Sequence, residues 1–246
     1  MLKRISLVIV VYARGPLFMA ACGDLNLDGD WRRASRERVG TAPDPAITPE
    51  AVVQVYAGRA FRWRGIFGVH TWIATKARNA ENYYVHQVIG WYARHGGSSI
   101  SSSPGAPDRR WYGATPELLA DLRGQDAEAA IPKILQAIET YPHEYEYVLW
   151  PGPNSNTFTA HIARVVPELS VDFPPTAIGK DYIANGAIAG TTPSGTGFQL
   201  SALGAAGVMI ALEEGIEVNL LGLTLGIDPI DLAIKLPGVG RLGALD

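Results

Sequence analysis

One serine stands where a helix is predicted to begin, in the segment WPGPNSNTFTAHIARVVPEL over residues 150–169. If Asn154 caps this helix, the Ser155 hydroxyl lies beside unpaired backbone N–H groups, which stabilise an alkoxide and a developing oxyanion. This placement suits a nucleophile. The plainer alternative is that Ser155, or Asn154, only caps the helix after a tight turn shaped by prolines and glycine.

A nucleophilic serine needs a base, and the chain contains five histidines. His70 lies in a predicted strand, GVHTWIA, and is the candidate base, although a lone histidine in a strand is more often only packed or solvated. His86 in the following strand is predicted to orient His70. Gln87 takes that role instead if the register differs. His161 follows Ser155 on the same helix, about 600° of rotation away, and so points elsewhere.

The rest of the predicted site is the wall around the helix start. Asn154, Asn156 and Trp150 flank Ser155 in the sequence and are predicted to contact substrate, with the helix N–H groups near Asn156 holding the oxyanion. The glycines of GTTPSGTGFQ, residues 190–199, do not form a phosphate loop because no lysine-bearing helix follows them. No metal-ligand spacing is present either, so neither a cofactor nor a metal is predicted.

Composition limits the class of partner. The chain has 246 residues, of which 47% are hydrophobic and 18% charged, and a formal net charge of -3. Such a chain is globular and somewhat apolar, and it lacks the basic excess that nucleic-acid binding requires. The predicted partner is instead a small molecule, peptide or lipid of the cell envelope.

The N-terminal residues 1–23 are predicted to be a signal or anchor segment. Lys3 and Arg4 precede an apolar run, as in an export signal, but Arg14 to Pro16 interrupt it. A spanning helix needs about 20 mostly apolar residues. The sequence FMAAC ending at Cys22 is similar to a lipoprotein cleavage box. An uncleaved anchor, a lipidated Cys22 and a plain buried segment therefore all stay open.

The remaining chain is predicted to be a polar linker or surface wrap over residues 24–50 and one α+β domain over residues 51–246. Alternation predicts neighbouring strands at 52–57, at 66–75 and within 81–94, which suggests an antiparallel sheet with packed helices. A helix is predicted at 116–124 and a short strand at 145–150. Residues 197–240 are again β-rich. Their apolar density predicts buried strands, or a surface that lies against lipid or a partner.

Segments that include FRWRGIFGVHTWIATK, WYGATPELLADLRG, WPGPNSNTFTAHIARVVPEL and TPSGTGFQLS resemble an uncharacterised bacterial family, domain of unknown function 3750. The likeness covers about residues 45–243. The resemblance implies no established activity. Because members of that family begin with a hydrophobic segment, it does imply an N-terminal anchor.

A more distant likeness is to the circularly permuted papain-like group that includes NlpC-type cell-wall hydrolases and lipid acyltransferases. There a histidine strand precedes a helix start that carries a cysteine nucleophile, and VHTW followed by PNSNTF is similar to that order. The resemblance implies a base at His70 and a nucleophile at Ser155. Serine replaces the expected cysteine, and because a hydroxyl is far less acidic than a thiol, Ser155 depends more on its base and oxyanion donors.

Together with these resemblances, which imply the permuted papain-like arrangement, the sequence predicts an α+β protein at the bacterial inner membrane with its main domain facing the periplasm. Its expected activity is acyl transfer, or hydrolysis of an amide or ester in a peptidoglycan peptide or a lipid. The alternative is a non-catalytic envelope protein that binds a lipid or a partner.

Overall fold

The protein is described from a computed structural model, which covers residues 2–25, 27 and 29–243. The first element is helix α1, Leu2–Cys22, with Pro16 inside it. Among the helices that the structure describes, none combines the length and apolarity needed to cross a membrane.

The first sheet has five antiparallel strands in the order β4-β3-β2-β1-β5. Its strands are β1 (Val52–Arg59), β2 (Val69–Lys76), β3 (Tyr84–Val88), β4 (Ile100–Pro104) and β5 (Glu117–Arg123). The strongly buried strand β1 lies in the interior of this sheet between β2 and β5, as its run of apolar and β-branched residues favours.

Two longer helices cover one face of this sheet, α3 (Gly124–Glu139) and α4 (Ser155–Val165). The smaller helical elements are a 3-10 turn at Arg62–Ile66, α2 (Gly90–Arg94) and a 3-10 turn at Pro167–Leu169. Apolar side chains from the helices and strands meet in one core, which includes Val53, Val55, Ile73, Ile134, Phe158 and Ile162. The start of α4 lies against the first residues of β2, Val69 and Thr71.

The second sheet is a seven-stranded antiparallel meander in which each strand pairs with its neighbours in sequence. Its strands are β6 (Ala189–Thr191), β7 (Gly197–Ala202), β8 (Ala206–Ala211), β9 (Gly215–Leu220), β10 (Leu223–Asp228), β11 (Ala233–Leu236) and β12 (Gly240–Leu242). The α+β class with a β-rich C-terminal part is confirmed.

One predicted helix and one predicted strand are wrong. Residues 117–123 form the edge strand β5, in which Leu122 pairs with Val53 and Leu118 with Tyr56. Pairing with β1 satisfies the backbone hydrogen-bonding groups of this segment and lets Leu119, Ala120 and Leu122 pack on the core. These two contributions outweigh the helical propensity of ELLADLR. Residues 145–150 form no strand, and they lead through turns into α4.

Residues 29–50 lie along the surface of the domain. The guanidinium Nε of Arg38 donates to the buried carboxylate of Asp108 over 3.0 Å, and the N–H of Gly40 donates to the same carboxylate over 2.8 Å. The Tyr83 hydroxyl donates to the Pro43 carbonyl over 3.1 Å. These contacts order the segment against the five-stranded sheet.

A buried ion network joins the seven-stranded sheet to the segment that follows helix α4. Lys180 lies after α4 and the 3-10 turn at Pro167–Leu169, and it forms an ion pair with Glu217 of β9. Glu217 also accepts a hydrogen bond from Lys235 of β11 over 2.9 Å. Lys235 in turn donates to Asp172 over 2.6 Å. Burial lowers the pKa of Lys180, but the attraction of Glu217, Asp181 and Asp172 outweighs burial and raises that pKa above its usual value. Lys180 is therefore charged at neutral pH.

We predict that Lys180→Met destabilises the protein by about 3 to 5 kcal/mol, because Glu217 then loses one of its two buried cationic partners. Denaturant unfolding at neutral pH gives the free energy of unfolding. The matched control is Lys133→Met, since Lys133 pairs with Glu168 at the surface and its loss costs less than about 1 kcal/mol. Equal effects of the two substitutions would contradict a structural role for the network.

Candidate functional site

The start of helix α4 is held by the side chain of Asn154. Its Oδ1 accepts from the N–H groups of Asn156 over 2.9 Å and of Thr157 over 3.2 Å. Its Nδ2 donates to the carbonyls of Leu149 over 3.1 Å and of Ile178 over 3.0 Å. With the Thr157 hydroxyl accepting from the Asn154 N–H, this is a capping box. Asn154 is thus the cap, and Ser155 is the first helical residue.

Gly179 makes room for this cap. Its φ of +101° lies in the left-handed region, and a Cβ there would come within 2.6 Å of the Asn154 side-chain amide. Any larger residue at this position would push Asn154 away from its four partners. The turn at Gly179 and the cap at Asn154 therefore depend on one another.

Asn156 ties the helix start to strand β2. Its Nδ2 donates to the carbonyls of Val69 over 3.0 Å and Ile178 over 2.8 Å, and its Oδ1 accepts from the Thr71 hydroxyl over 3.0 Å. Because the Asn156 side chain is fully used in these bonds and its N–H donates to Asn154, Asn156 is held as a fixed part of the scaffold. This leaves neither its amide nor its N–H unpaired for an oxyanion.

The predicted nucleophile keeps its polar groups free. Ser155 is buried but lines a cavity, and neither its hydroxyl nor its N–H makes a hydrogen bond within the described part of the chain. The N–H lies at the N-terminus of α4, where the helix dipole favours negative charge. A serine with a free hydroxyl and its own free N–H can supply both a nucleophile and an oxyanion donor.

The predicted base, His70, is hydrogen-bonded to Gln87 and not to His86. The Nε2 atom of His70 lies 2.9 Å from Oε1 of Gln87. Since the amide oxygen accepts, Nε2 carries the proton and Nδ1 keeps its lone pair. The ring also stacks on Trp111, with centroids 3.7 Å apart and planes 7° apart. Gln87, the second choice from the sequence, therefore orients His70.

His86 lies on the other face of the sheet. It pairs with Ile73, on the face that packs against the helices, and its ring bonds the hydroxyls of Thr75 over 3.0 Å and Ser102 over 2.8 Å. The register of β2 and β3 therefore separates His86 from His70 and gives it a structural role.

One cavity of about 470 Å³ brings the predicted residues together. Ser155 and His70 share its wall with Asn154, Asn156 and Trp150, and the remaining surface is mainly aromatic and aliphatic. Arg64 is also part of the wall, and the apolar and aromatic members are Ala60, Phe61, Trp63, Phe67, Val69, Trp111, Tyr112, Tyr147, Leu149, Ile178, Leu221 and Leu223. A site of this size and lining suits an apolar group beside a few polar atoms.

Ser155 and His70 share the cavity without a direct bond. Thr71 turns its side chain toward α4, where its hydroxyl donates to the Ser155 carbonyl over 3.3 Å. His70, the next residue back along β2, turns to the opposite face, and the cavity extends around this end of the strand. Within the described residues no hydrogen bond joins the Ser155 hydroxyl to the His70 ring.

Burial sets the charge state of the base. It lowers the pKa of His70 to about 4, although the hydrogen bond with Gln87 acts in the opposite direction. Burial also lowers the pKa of His86 to about 4. Both rings are neutral at pH 7, so His70 can accept a proton there.

A second cavity of about 320 Å³ lies on the other side of Trp111 and Tyr112. Its wall includes Arg36, Arg109 and Gln87, which makes it more polar than the first. Among the described residues, no group of three or more His, Cys, Asp and Glu side chains is arranged to hold a metal ion.

Comparison with protein families bears on the chain as a whole. The family model described as Protein of unknown function (DUF3750) matches residues 50–182, which is more than half of the 246 residues. The chain belongs to the DUF3750 family. The matched range includes His70, Gln87 and Ser155 of this DUF3750 protein, whereas Leu221 and Leu223 of the cavity wall lie outside it. No curated protein and no solved structure matches the chain.

Two neighbouring substitutions should separate the scaffold of this DUF3750 site from its chemistry. We predict that Asn154→Ala destabilises the fold by about 2 to 4 kcal/mol, because a cap is lost and buried donors and acceptors are left unpaired. Ser155→Ala should change stability by less than about 1 kcal/mol, because its hydroxyl has no partner. Denaturant unfolding measures both changes, and a large loss from Ser155→Ala would show that its hydroxyl is structural.

The histidine pKa values predict acid sensitivity of the fold. A folded pKa of about 4 lies below the unfolded value of about 6.5. The stabilising contribution is thus complete above about pH 6.5 and is lost as pH falls toward 4. Between about pH 7 and pH 5, each histidine should lower the free energy of unfolding by roughly 2 kcal/mol. Unfolding at about pH 7 and pH 5 measures the difference, and His86→Gln should reduce it. A difference unchanged by His86→Gln would contradict this assignment.

Proposed function

We propose that this DUF3750 protein is a serine-dependent hydrolase or acyltransferase of permuted papain-like arrangement, acting on an amide or ester of a cell-envelope substrate. One observation carries the proposal. A free Ser155 hydroxyl at a helix N-terminus and a neutral His70 held by Gln87 line the same apolar cavity. These are the nucleophile, base and orienting group that acyl transfer needs.

The chemistry follows from the positions of these groups. Ser155 Oγ attacks the substrate carbonyl carbon while its proton passes to Nδ1 of His70, and the carbonyl π electrons move to oxygen. The Ser155 N–H and the N-terminus of α4 stabilise that oxyanion. Collapse re-forms the carbonyl and breaks the bond to the amine or alcohol, which leaves with the proton from His70. Water or a second acceptor then releases the acyl group from Ser155 by the reverse sequence of proton transfers.

Gln87 acts through His70 as a positioning residue. By accepting from Nε2–H, it keeps the basic lone pair on Nδ1 and fixes the plane of the ring with Trp111. A neutral amide also leaves the low pKa of His70 in place, whereas a carboxylate would raise it.

The first step requires His70 and Ser155 to come within about 3 Å. Catalytic hydrogen bonds are often long before substrate binds and shorten in the Michaelis complex. An acyl group that fills the cavity would expel water from between the two residues and strengthen their interaction.

The lining of the cavity bears on the substrate class. Its aromatic and aliphatic wall favours an acyl chain or another apolar group next to the scissile bond over a charged one. Of the two envelope substrates, peptidoglycan peptide and lipid, the lining favours lipid. The proposed location is the bacterial inner membrane, with the N-terminal segment as anchor and the main domain facing the periplasm.

A second candidate function is binding without catalysis. The missing hydrogen bond between Ser155 and His70 favours it, because an apolar cavity can hold a lipid with no reaction. In that case Ser155→Ala would bind the same ligands as the unchanged protein, and no turnover would be found.

We predict that the protein hydrolyses medium-chain p-nitrophenyl esters and that Ser155→Ala lowers kcat/KM on the order of 10³-fold or more. Ser155→Cys should retain turnover, because a thiol is the more nucleophilic group. His70→Gln should act as strongly as Ser155→Ala. Gln87→Ala should lower kcat and move the acid limb of activity to lower pH, because the hydrogen bond that raises the pKa of His70 is lost.

Thr159→Ala is the matched control, since it removes a buried hydroxyl from the same helix outside the cavity. It should leave kcat/KM close to the value of the unchanged protein. If Ser155→Ala and Thr159→Ala have the same kcat/KM, the hydrolase proposal is wrong and the binding function is preferred.

A further inference from the structure

The seven-stranded sheet has its polar face inside and its apolar face outside. The residues that face the protein interior include Gln199, Ser201, Glu217, Asn219, Thr224, Asp228 and Lys235, and all of them are buried. Lys180, Asp181 and Arg164 lie opposite and are hydrogen-bonded to members of this set. The interior side of the sheet is thus satisfied by ions and amides, so its apolar residues face outward.

Strand pairing defines the outer face. Phe198 pairs with Ile210, Val208 with Val218, and Ile227 with Ile234. Taken together, the outward residues are Ala189, Thr191, Phe198, Leu200, Ala202, Ala206, Val208, Ile210, Ile216, Val218, Leu220, Leu223, Leu225, Ile227, Ile234, Leu236 and Leu242. Among these described strand residues none is charged, and Thr191 alone is polar.

Most of these side chains are exposed, and Ala206, Leu223, Leu225 and Leu236 are half-buried. Phe198 is 53% and Ile210 58% exposed, and the turns at the strand ends present Leu203, Leu212 and Leu232 as well. A contiguous apolar patch of more than a few hundred square ångströms on a soluble protein marks an interaction site. This face therefore requires an apolar neighbour.

Helix α1 extends the same surface. The Tyr12 hydroxyl donates to the Val218 carbonyl over 3.0 Å, and Gly15 lies so close to the Pro237 carbonyl that a Cβ would come within 1.8 Å of that oxygen. While these residues attach α1 to the sheet, Leu17 is 66% and Phe18 56% exposed. The helix thus adds an exposed apolar flank to the sheet.

Aromatic and basic side chains lie at the border of this surface. The exposed Trp63 belongs to the 3-10 turn that contacts α1, and Arg62 and Arg64 beside it are exposed. Arg14 is exposed on α1 itself. Within the described chain none of these three arginines has a carboxylate partner in an ion pair. Tryptophan and arginine at the edge of an apolar surface are typical of proteins that lie at the headgroup level of a bilayer.

The cavity opens at the same border. Leu223 belongs to the outer face, where it pairs with Leu220, and it also lines the cavity next to Leu221. Trp150 closes this corner by donating to the Leu221 carbonyl over 2.9 Å. An apolar path thus runs from the sheet surface to the cavity wall.

We propose that the outer face of the seven-stranded sheet, together with the exposed flank of α1, docks on an anionic phospholipid bilayer. The apolar side chains enter the interface between headgroups and acyl chains, and Arg14, Arg62 and Arg64 bind lipid phosphates. This goes beyond anchoring by the N-terminal segment, because the folded domain itself lies on the membrane. If the proposed hydrolase function holds, the cavity takes its acyl substrate directly from that bilayer.

The test measures partition of the purified full chain onto phosphatidylcholine vesicles with and without phosphatidylglycerol, by flotation. Phe198→Glu/Ile210→Glu places two carboxylates on the outer face and should lower binding at least about tenfold. Leu135→Glu is the matched control, since Leu135 is an exposed leucine, at 42%, on α3. It should bind as the unchanged protein does. Arg62→Gln/Arg64→Gln should weaken binding only to vesicles that contain phosphatidylglycerol.

Circular dichroism and thermal unfolding establish that each variant is folded. Retained binding by the Phe198→Glu/Ile210→Glu variant overturns the proposal, as does an absence of binding by the unchanged protein. A dimer that sedimentation detects without vesicles, and that the double variant dissociates, would show that a second copy covers the face. Ester hydrolysis in solution is measured separately, so a failure of docking and a failure of catalysis are distinguishable.

Discussion

The side chain of Asn154 is the constraint on which the site depends. This buried amide accepts hydrogen bonds from two helix N–H groups and donates to two loop carbonyls. These bonds hold the start of α4, the turn before it and the loop at Gly179 together. Because Asn154 satisfies the cap, the neighbouring Ser155 is released from that task, and its hydroxyl and N–H have no hydrogen-bond partner among the described residues. Asn156 then ties the same helix start to β2, which carries His70.

The second constraint is the buried network of Lys180, Glu217, Lys235 and Asp172. A buried ion pair gives little net stability over an apolar contact, but the loss of one partner leaves the other charge buried and unpaired. Here the ions turn the polar side of the seven-stranded sheet inward and leave its apolar side outward. The inward polar face and the outward apolar face of this sheet thus follow from one set of interactions.

Much of this arrangement could be predicted from the sequence. The helix start at Ser155 and the strand around His70 follow from local patterns, since capping residues and alternation have short range. Whether His86 or Gln87 orients His70 could not be predicted, because the answer depends on the pairing of Ile73 with His86 across two strands. Strand β5 could not be predicted from the sequence either, because its hydrogen bonds to β1 override a local helical pattern. Alternation of apolar and polar residues in the C-terminal strands predicts one apolar and one polar face. Which of these faces is buried depends on the partners Lys180 and Asp181.

The central claim is that Ser155 is a nucleophile activated by His70, and covalent capture tests it most directly. The protein is treated with an alkyl fluorophosphonate, and the modified residue is located by peptide mass spectrometry. The account predicts one adduct on Ser155, with loss of fluoride, formed rapidly in the unchanged protein and far more slowly in His70→Gln. No adduct on Ser155, or an adduct formed at the same rate without His70, would contradict it.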